Sequence, residues 1–204
     1  MYLATETLPP VFVSHGILDT SGTMAPIADM LRAAGRVVYS NDFMPNTGKR
    51  SIREYALQLK DFIATTVGFD EPIDMVGFSM GGFIMRTLIQ LEGGAEFTRA
   101  FVSISSPHQG TQWSSAFKGL SERIQFQGIA DMSCNSELVK QLSETDHLRE
   151  NIRCTTVRTE YDLIIRPTES SILVGADNHV VNELAHPWMI TSKKVHALIL
   201  EGLK

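Results

Sequence analysis

Gly77-Phe78-Ser79-Met80-Gly81 sets a serine between two glycines at the point where an apolar β-rich run gives way to helical spacing. A hydroxyl at such a junction is pushed out of both elements on a sharp turn, and nucleophilic serines are found in that arrangement. The turn demands a sparsely populated backbone conformation, and only small neighbours let strand and helix pass so closely. The helix that follows directs its positive N-terminal end at the serine, so the Met80 N–H faces any negative charge developing there. Such chemistry is acyl transfer through a serine ester.

A serine hydroxyl needs a base within hydrogen-bond reach and a third group to hold the base's tautomer. In open α/β sheets these groups sit in loops beyond the carboxyl ends of strands. Of the six histidines, His186 lies after the last candidate strand and before the C-terminal helix, and is the expected base. Asp162 follows the β-branched run Cys154 to Thr159, in a D-x-x-x-x-P setting with Pro167, and is the expected acid; Glu160 and Asp177 are its alternatives. The order Ser79, Asp162, His186 is the one found in α/β-hydrolases. His15-Gly16-Ile17 closes the first strand where a second oxyanion N–H is supplied, so Ile17 and Met80 are the expected donors and His15 has a structural part. His108 is a weaker alternative base or a substrate contact, and His147, His179 and His196 read as solvated or structural. Asp177 and His179 lack further ligands at a metal-binding spacing, so neither metal nor cofactor is expected.

The elements that must position these groups follow from pattern. Val11 to Ser14 reads as a strand, Met24, Ile27 and Leu31 as a helix stopping at Gly35, and Val37 to Ser40 as the next strand. Ser51 and Glu54 form a capping box ahead of a stripe through Ile52, Tyr55, Ala56, Leu59, Phe62 and Ile63. Strands are expected at Ile73 to Val76, Ala100 to Ser103, Cys154 to Thr159 and Val174 to Val181. Helical spacing recurs around Trp113, Phe117 and Leu120, around Leu138 and Leu142, and around Val195, Leu198 and Ile199. Alternating apolar strands and helices imply a mostly parallel sheet covered on both faces. The connection from Thr111 to Asn151 is too short for a large cap domain.

Size and composition set the remaining bounds. The 204 residues read as one domain, residues 1–204, and 43% apolar with 20% charged residues suits a folded globular protein. A net charge of −5 with scattered Lys and Arg offers no basic stripe for nucleic acid. No run is long and apolar enough to span a bilayer, and Met1 to Leu8 carries no secretory pattern, so a cytoplasmic location is expected. Cys134 and Cys154 read as reduced thiols, with a single disulfide as the alternative in an extracellular protein.

Four blocks resemble the small bacterial α/β-hydrolase lipases and esterases, above all the minimal lidless Bacillus lipase A type. They are Val11 to Ile17, Gly77 to Gly82, Tyr161-Asp162-Leu163-Ile164, and the stretch from Ala185-His186 to Leu203. Met132 to Leu138 also looks like a segment preceding a short helix in several bacterial lipases. The resemblance implies an α/β-hydrolase fold and ester hydrolysis by Ser79, Asp162 and His186 through an acyl-enzyme; the alternatives are a thioesterase or acyltransferase on the same scaffold and a non-catalytic binding member of the fold. It implies a small-molecule or lipid ester as substrate; Leu18, Phe78, Ile164 and Trp188, with Trp113, are apolar residues near strand ends and are the expected substrate contacts. Two departures stand out: Phe78 occupies a position that is commonly His or Ala, and Leu18-Asp19-Thr20 replaces a glycine-rich loop.

Overall fold

The computed structural model describes residues 8–112, 126–145 and 152–204. Six parallel strands form one sheet: β1 Val11–Ser14, β2 Val38–Asn41, β3 Ile73–Phe78, β4 Thr98–Ile104, β5 Arg153–Thr159 and β6 Asp177–Val181, in the order β2-β1-β3-β4-β5-β6. This is the α/β-hydrolase fold, without a large cap among the described residues. The chain leaves β1 in one direction and resumes at β3 in the other, and such a reversal opens a crevice at the carboxyl ends of the two strands.

Strand side chains alternate between two cores because the pleat has a period of two. Phe12, Ile73, Met75 and Phe101 point to one face, under α2 Ile52–Thr66 and α3 Met80–Leu91. Val11, Val13, Val76, Val102 and Val157 point to the other, under α1 Ala25–Ala33 and a C-terminal helix, Lys193–Gly202. Two short helices, α4 Gln127–Asp131 and α5 Glu137–Glu144, precede β5, and the C-terminal helix is α6. Fully burying each such aliphatic or aromatic side chain contributes about 1.5–3 kcal/mol.

Local signals place most boundaries within a residue or two. The Ser51 capping box forms, with the Glu54 N–H donating to Ser51 Oγ at 3.2 Å and the Ser51 N–H to Glu54 Oε2 at 2.8 Å. The second strand runs Val38–Asn41 rather than Val37 to Ser40. The strand expected from Val174 to Val181 is only Asp177–Val181, because Gly175 takes φ +81° and turns the chain. Asn178 then bonds Leu173 through both its side-chain oxygen and nitrogen, closing that turn. The helical stretch expected around Trp113, Phe117 and Leu120 lies outside the described residues.

The amino-terminal edge of the sheet is held by ions. Asp74, fully buried on β3, accepts from Arg36 and takes a two-pronged contact from Arg99 on β4, at 3.0 Å to Oδ1 and 2.6 Å to Oδ2. Arg36 also donates to Pro9 O at 2.6 Å, and Arg99 to Leu203 O at 2.8 Å. One carboxylate thereby ties β3 and β4 to the entry of β1 and the end of α6.

Candidate active site

Strand register brings the ends of β1, β3, β4, β5 and β6 to a common edge, with Ser14 beside Gly77, Phe78 beside Ile104 and Thr159 beside Val181. The loops leaving that edge carry His15, Ser79, Ser105, Asp162 and His186.

Ser79 caps α3 with φ 53° and ψ −122°, a left-handed conformation that costs a non-glycine residue on the order of 1–3 kcal/mol. Its neighbours explain how the turn closes. A Cβ on Gly77 would stand 2.4 Å from Gly82 Cα, and one on Gly81 would stand 2.5 Å from Ser14 O and 2.6 Å from His15 O. Gly82 has its own reason, since a Cβ there would meet Ser106 Oγ at 2.1 Å. The Ser79 N–H donates to Ile104 O at 2.8 Å, which ties the turn to β4. Among the described residues Ser79 Oγ makes no hydrogen bond, and the residue is 5% exposed.

Asp162 and His186, 24 residues apart in the chain, meet at 2.6 Å through Oδ2 and Nδ1. The other carboxylate oxygen accepts the N–H groups of Ile164 and Ile165, each at 2.9 Å. Burial disfavours the charged Asp162, but the His186 hydrogen bond and charge, together with the two amides, outweigh it and hold the carboxyl below its ordinary value. An ionised Asp162 can only accept, so Nδ1 carries the imidazole proton and Nε2 is left as an acceptor. The His186 ring packs on Phe78, the residue before the serine, with centroids 4.7 Å apart. Phe78 is 3% exposed, so most of its surface faces this contact and the core.

His15 is fully buried and has no nitrogen to spare. Nδ1 lies 2.7 Å from Gly16 O and Nε2 accepts the Phe43 N–H at 3.1 Å, which requires the neutral ring with its proton on Nδ1. Its part is to pin the loop after β1. Asn46 adds two bonds: the Leu18 N–H donates to Asn46 O at 2.8 Å, and Asn46 Nδ2 donates to Asp19 O at 2.9 Å. Leu18 is held at φ 62° and its side chain is 70% exposed. The N–H groups of Ile17 and Met80 donate to nothing among the described residues.

The remaining candidates are engaged elsewhere. His108 is fully buried with Nε2 on Ser103 Oγ at 2.8 Å, and burial, with the Arg86 charge adding to it, pushes its pKa well below the usual histidine value. Asp177 pairs with His179 at 2.9 Å and Glu160 is exposed, whereas Asp162 meets His186. Cys134 and Cys154 are both free. Ile164 and Trp188 are 38% and 53% exposed on the loops that carry Asp162 and His186. No helix among the described residues is long and apolar enough to cross a membrane. The sequence carried no signal for Asn46, since asparagine after proline marks almost any turn, and Gly82 was readable only as part of a glycine pair.

Comparison with known proteins agrees with this architecture. The mature form of a Bacillus licheniformis lipase superposes with a TM-score of 0.77 at 14% identity, covering 98% of this chain and 93% of that one. Lipase B of Aspergillus fumigatus matches with a TM-score of 0.76 at 16% identity, over 98% of this chain and 53% of its own. A monoacylglycerol lipase from Paleococcus ferrophilus gives 0.67 at 15% identity, over 96% and 95%. No curated protein matches the sequence. The model of the palmitoyl protein thioesterase family matches residues 10–161, from the start of β1 to the residue before Asp162. The chain therefore belongs to the palmitoyl protein thioesterase family.

Proposed function

We propose that the protein is a serine acyl hydrolase in which Ser79 is the nucleophile, His186 the base and Asp162 the orienting acid. The observation that carries this reading is the buried 2.6 Å Asp162–His186 contact, with the His186 ring packed at a tilt on Phe78 and so set beside the strained serine turn. His186 Nε2 accepts the Ser79 proton as Oγ attacks the carbonyl, and the resulting oxyanion faces the Ile17 and Met80 amides. Oriented donors of this kind are worth about 10²–10³ in turnover each. His186 then protonates the leaving group, and water attacks the acyl-enzyme by the same route in reverse. Asp162 keeps the imidazole in the productive tautomer and stabilises the imidazolium.

The substrate in this reading is a carboxylic ester, and the exposed Leu18, Ile164 and Trp188 supply its apolar contacts, whereas Phe78, expected among them, is buried behind the His186 ring. The fold comparison supports an acyl-ester hydrolase of the bacterial lipase and esterase kind, and the minimal lidless lipase A type remains our finer assignment. Family membership favours a second reading, thioester hydrolysis, with the same residues. A thiolate leaves with less need of a proton, so the two substrates differ in how far they depend on His186 as an acid. A fluorophosphonate probe tests the shared chemistry: it should label Ser79 in the wild type, fail in Ser79→Ala and react far more slowly in His186→Ala. Labelling elsewhere, or undiminished in His186→Ala, would contradict the assignment. A series of esters and thioesters of increasing acyl length then separates the two readings.

A further inference from the structure

We propose that Asp19 makes this site select substrates that carry a positive charge close to the scissile carbonyl, an inference that rests on Ser79 being the nucleophile. A Cβ built on Gly16 would stand 2.9 Å from Asp19 Oδ2 and 3.1 Å from Ser79 Cβ. The carboxylate and the serine thus face each other across a glycine, no further apart than those two distances together. Asp19 is half-buried, and among the described residues its carboxylate has no hydrogen bond or ion pair. Asp42, the next carboxylate along the same rim, is engaged, accepting the Ser21 N–H at 2.5 Å and its hydroxyl at 3.0 Å.

The loop holds the Asp19 backbone in place. The Asp19 carbonyl accepts from Asn46, its N–H reaches Gly16 O at 3.4 Å, and the preceding Leu18 is fixed at φ 62° by its own bond to Asn46. His15 anchors the start of the same loop.

A fixed negative charge here opposes the oxyanion that acyl transfer creates, and in a site partly screened from water the opposition is not small. For a neutral substrate it works against the reaction. A cationic group on the substrate that rests against Asp19 at the rim, beside the reacting centre, turns the same charge into an attraction in the transition state. The fitting class is an ester or thioester with an ammonium group a few bonds from the carbonyl. A hydroxyl or a neutral alkyl group at that position gains much less, because only a cation cancels the charge.

Two butyryl thioesters matched in shape test this in single-turnover acylation, with 2-(trimethylammonio)ethanethiol or 3,3-dimethylbutanethiol as the leaving thiol. In each, Ser79 Oγ forms a C–O bond to the acyl carbon as the C–S bond breaks, and the serine proton passes through His186 to the departing thiolate. The cationic thioester should acylate the wild type at least tenfold faster than the neutral one, with the ratio falling as ionic strength rises. In Asp19→Asn the ratio should collapse toward one, with the neutral reagent reacting several-fold faster than in the wild type; in Asp19→Glu the cationic preference should persist. Equal rates in the wild type, or a ratio untouched by Asp19→Asn, overturn the role of Asp19 while leaving Ser79 as nucleophile. A 2-hydroxyethyl thiol ester outpacing both reagents overturns it as well, in favour of hydroxyl recognition. Failure of every reagent to modify Ser79 removes the hydrolase reading itself. Should Asp19→Asn not fold, Asp19→Ala is read in its place, with the same collapse of the ratio expected.

Discussion

Two buried carboxylates sit near opposite ends of the same sheet and do opposite things. Asp74, at the amino edge, is met by two guanidiniums, which never lose their charge at any pH the protein tolerates. Asp162, past the carboxyl edge, meets one imidazole and two amides. Both are almost fully out of water, yet only the second has a partner able to gain and give up a proton. A carboxylate saturated by arginines is a fastener; one that shares a single titratable ring can, as we propose for Asp162, orient a base. The difference lies in the partner's chemistry, because burial and hydrogen bonding are similar in the two places.

The largest effects expected from breaking this comparison are on the catalytic side. Asp162→Asn leaves the shape intact but favours the wrong His186 tautomer, and should lower kcat by about 10⁴, with little change in KM. Steady-state kinetics on a short-chain ester read this directly, and a loss of only a few-fold would break the assignment of Asp162. Asp74→Ala should behave in the reverse manner. It strands Arg36, whose side chain is 5% exposed, and should cost about 3–5 kcal/mol in urea unfolding. The activity of the fraction that remains folded should be preserved, and a kcat loss of similar size to that of Asp162→Asn would undo the contrast.

A smaller effect sharpens it. The Asp162 pKa is lowered in the fold: burial pulls against the charge, and the His186 and amide bonds prevail. A carboxyl whose folded pKa lies below its unfolded value adds stability above the unfolded value, about 3.9 for aspartate, and loses it as pH falls through the folded one. Asp162→Asn should thus be less stable than the wild type at neutral pH, by on the order of 1–3 kcal/mol, and the gap should close in acid. Urea midpoints measured across that range check the sign; a gap that widens in acid would contradict it.

Legibility in the sequence followed the range of the interaction. Gly77, Ser79 and Gly81 lie within five residues, and the close approach they permit is decided by those residues alone. The Ser51–Glu54 box spans four, and it formed as its spacing requires. Asp162 and His186 were readable as candidates because each follows a strand, but Glu160 satisfied the same local rule and Asp177, inside the last candidate strand, stood as a further alternative. What separated them was which carboxylate the chain's path carries to the imidazole. The strand from Val174 shortened for a local reason that pattern alone underweighted, a left-handed Gly175 inside an otherwise extended apolar run.

By itself, then, the order of residues determined the alternation of strands and helices, the serine turn and the set of groups able to serve it, since these depend on steric and periodic rules acting over a few residues. The tertiary structure alone decided that Asn46 clamps the loop after β1, that His15 ties that loop to Phe43 beyond β2, that Asp19 lies across Gly16 from Ser79, and that Arg36 and Arg99 converge on Asp74. Each of these joins elements separated by a crossover or a turn, where distance in space is set by sheet order and register, and no local spacing encodes it.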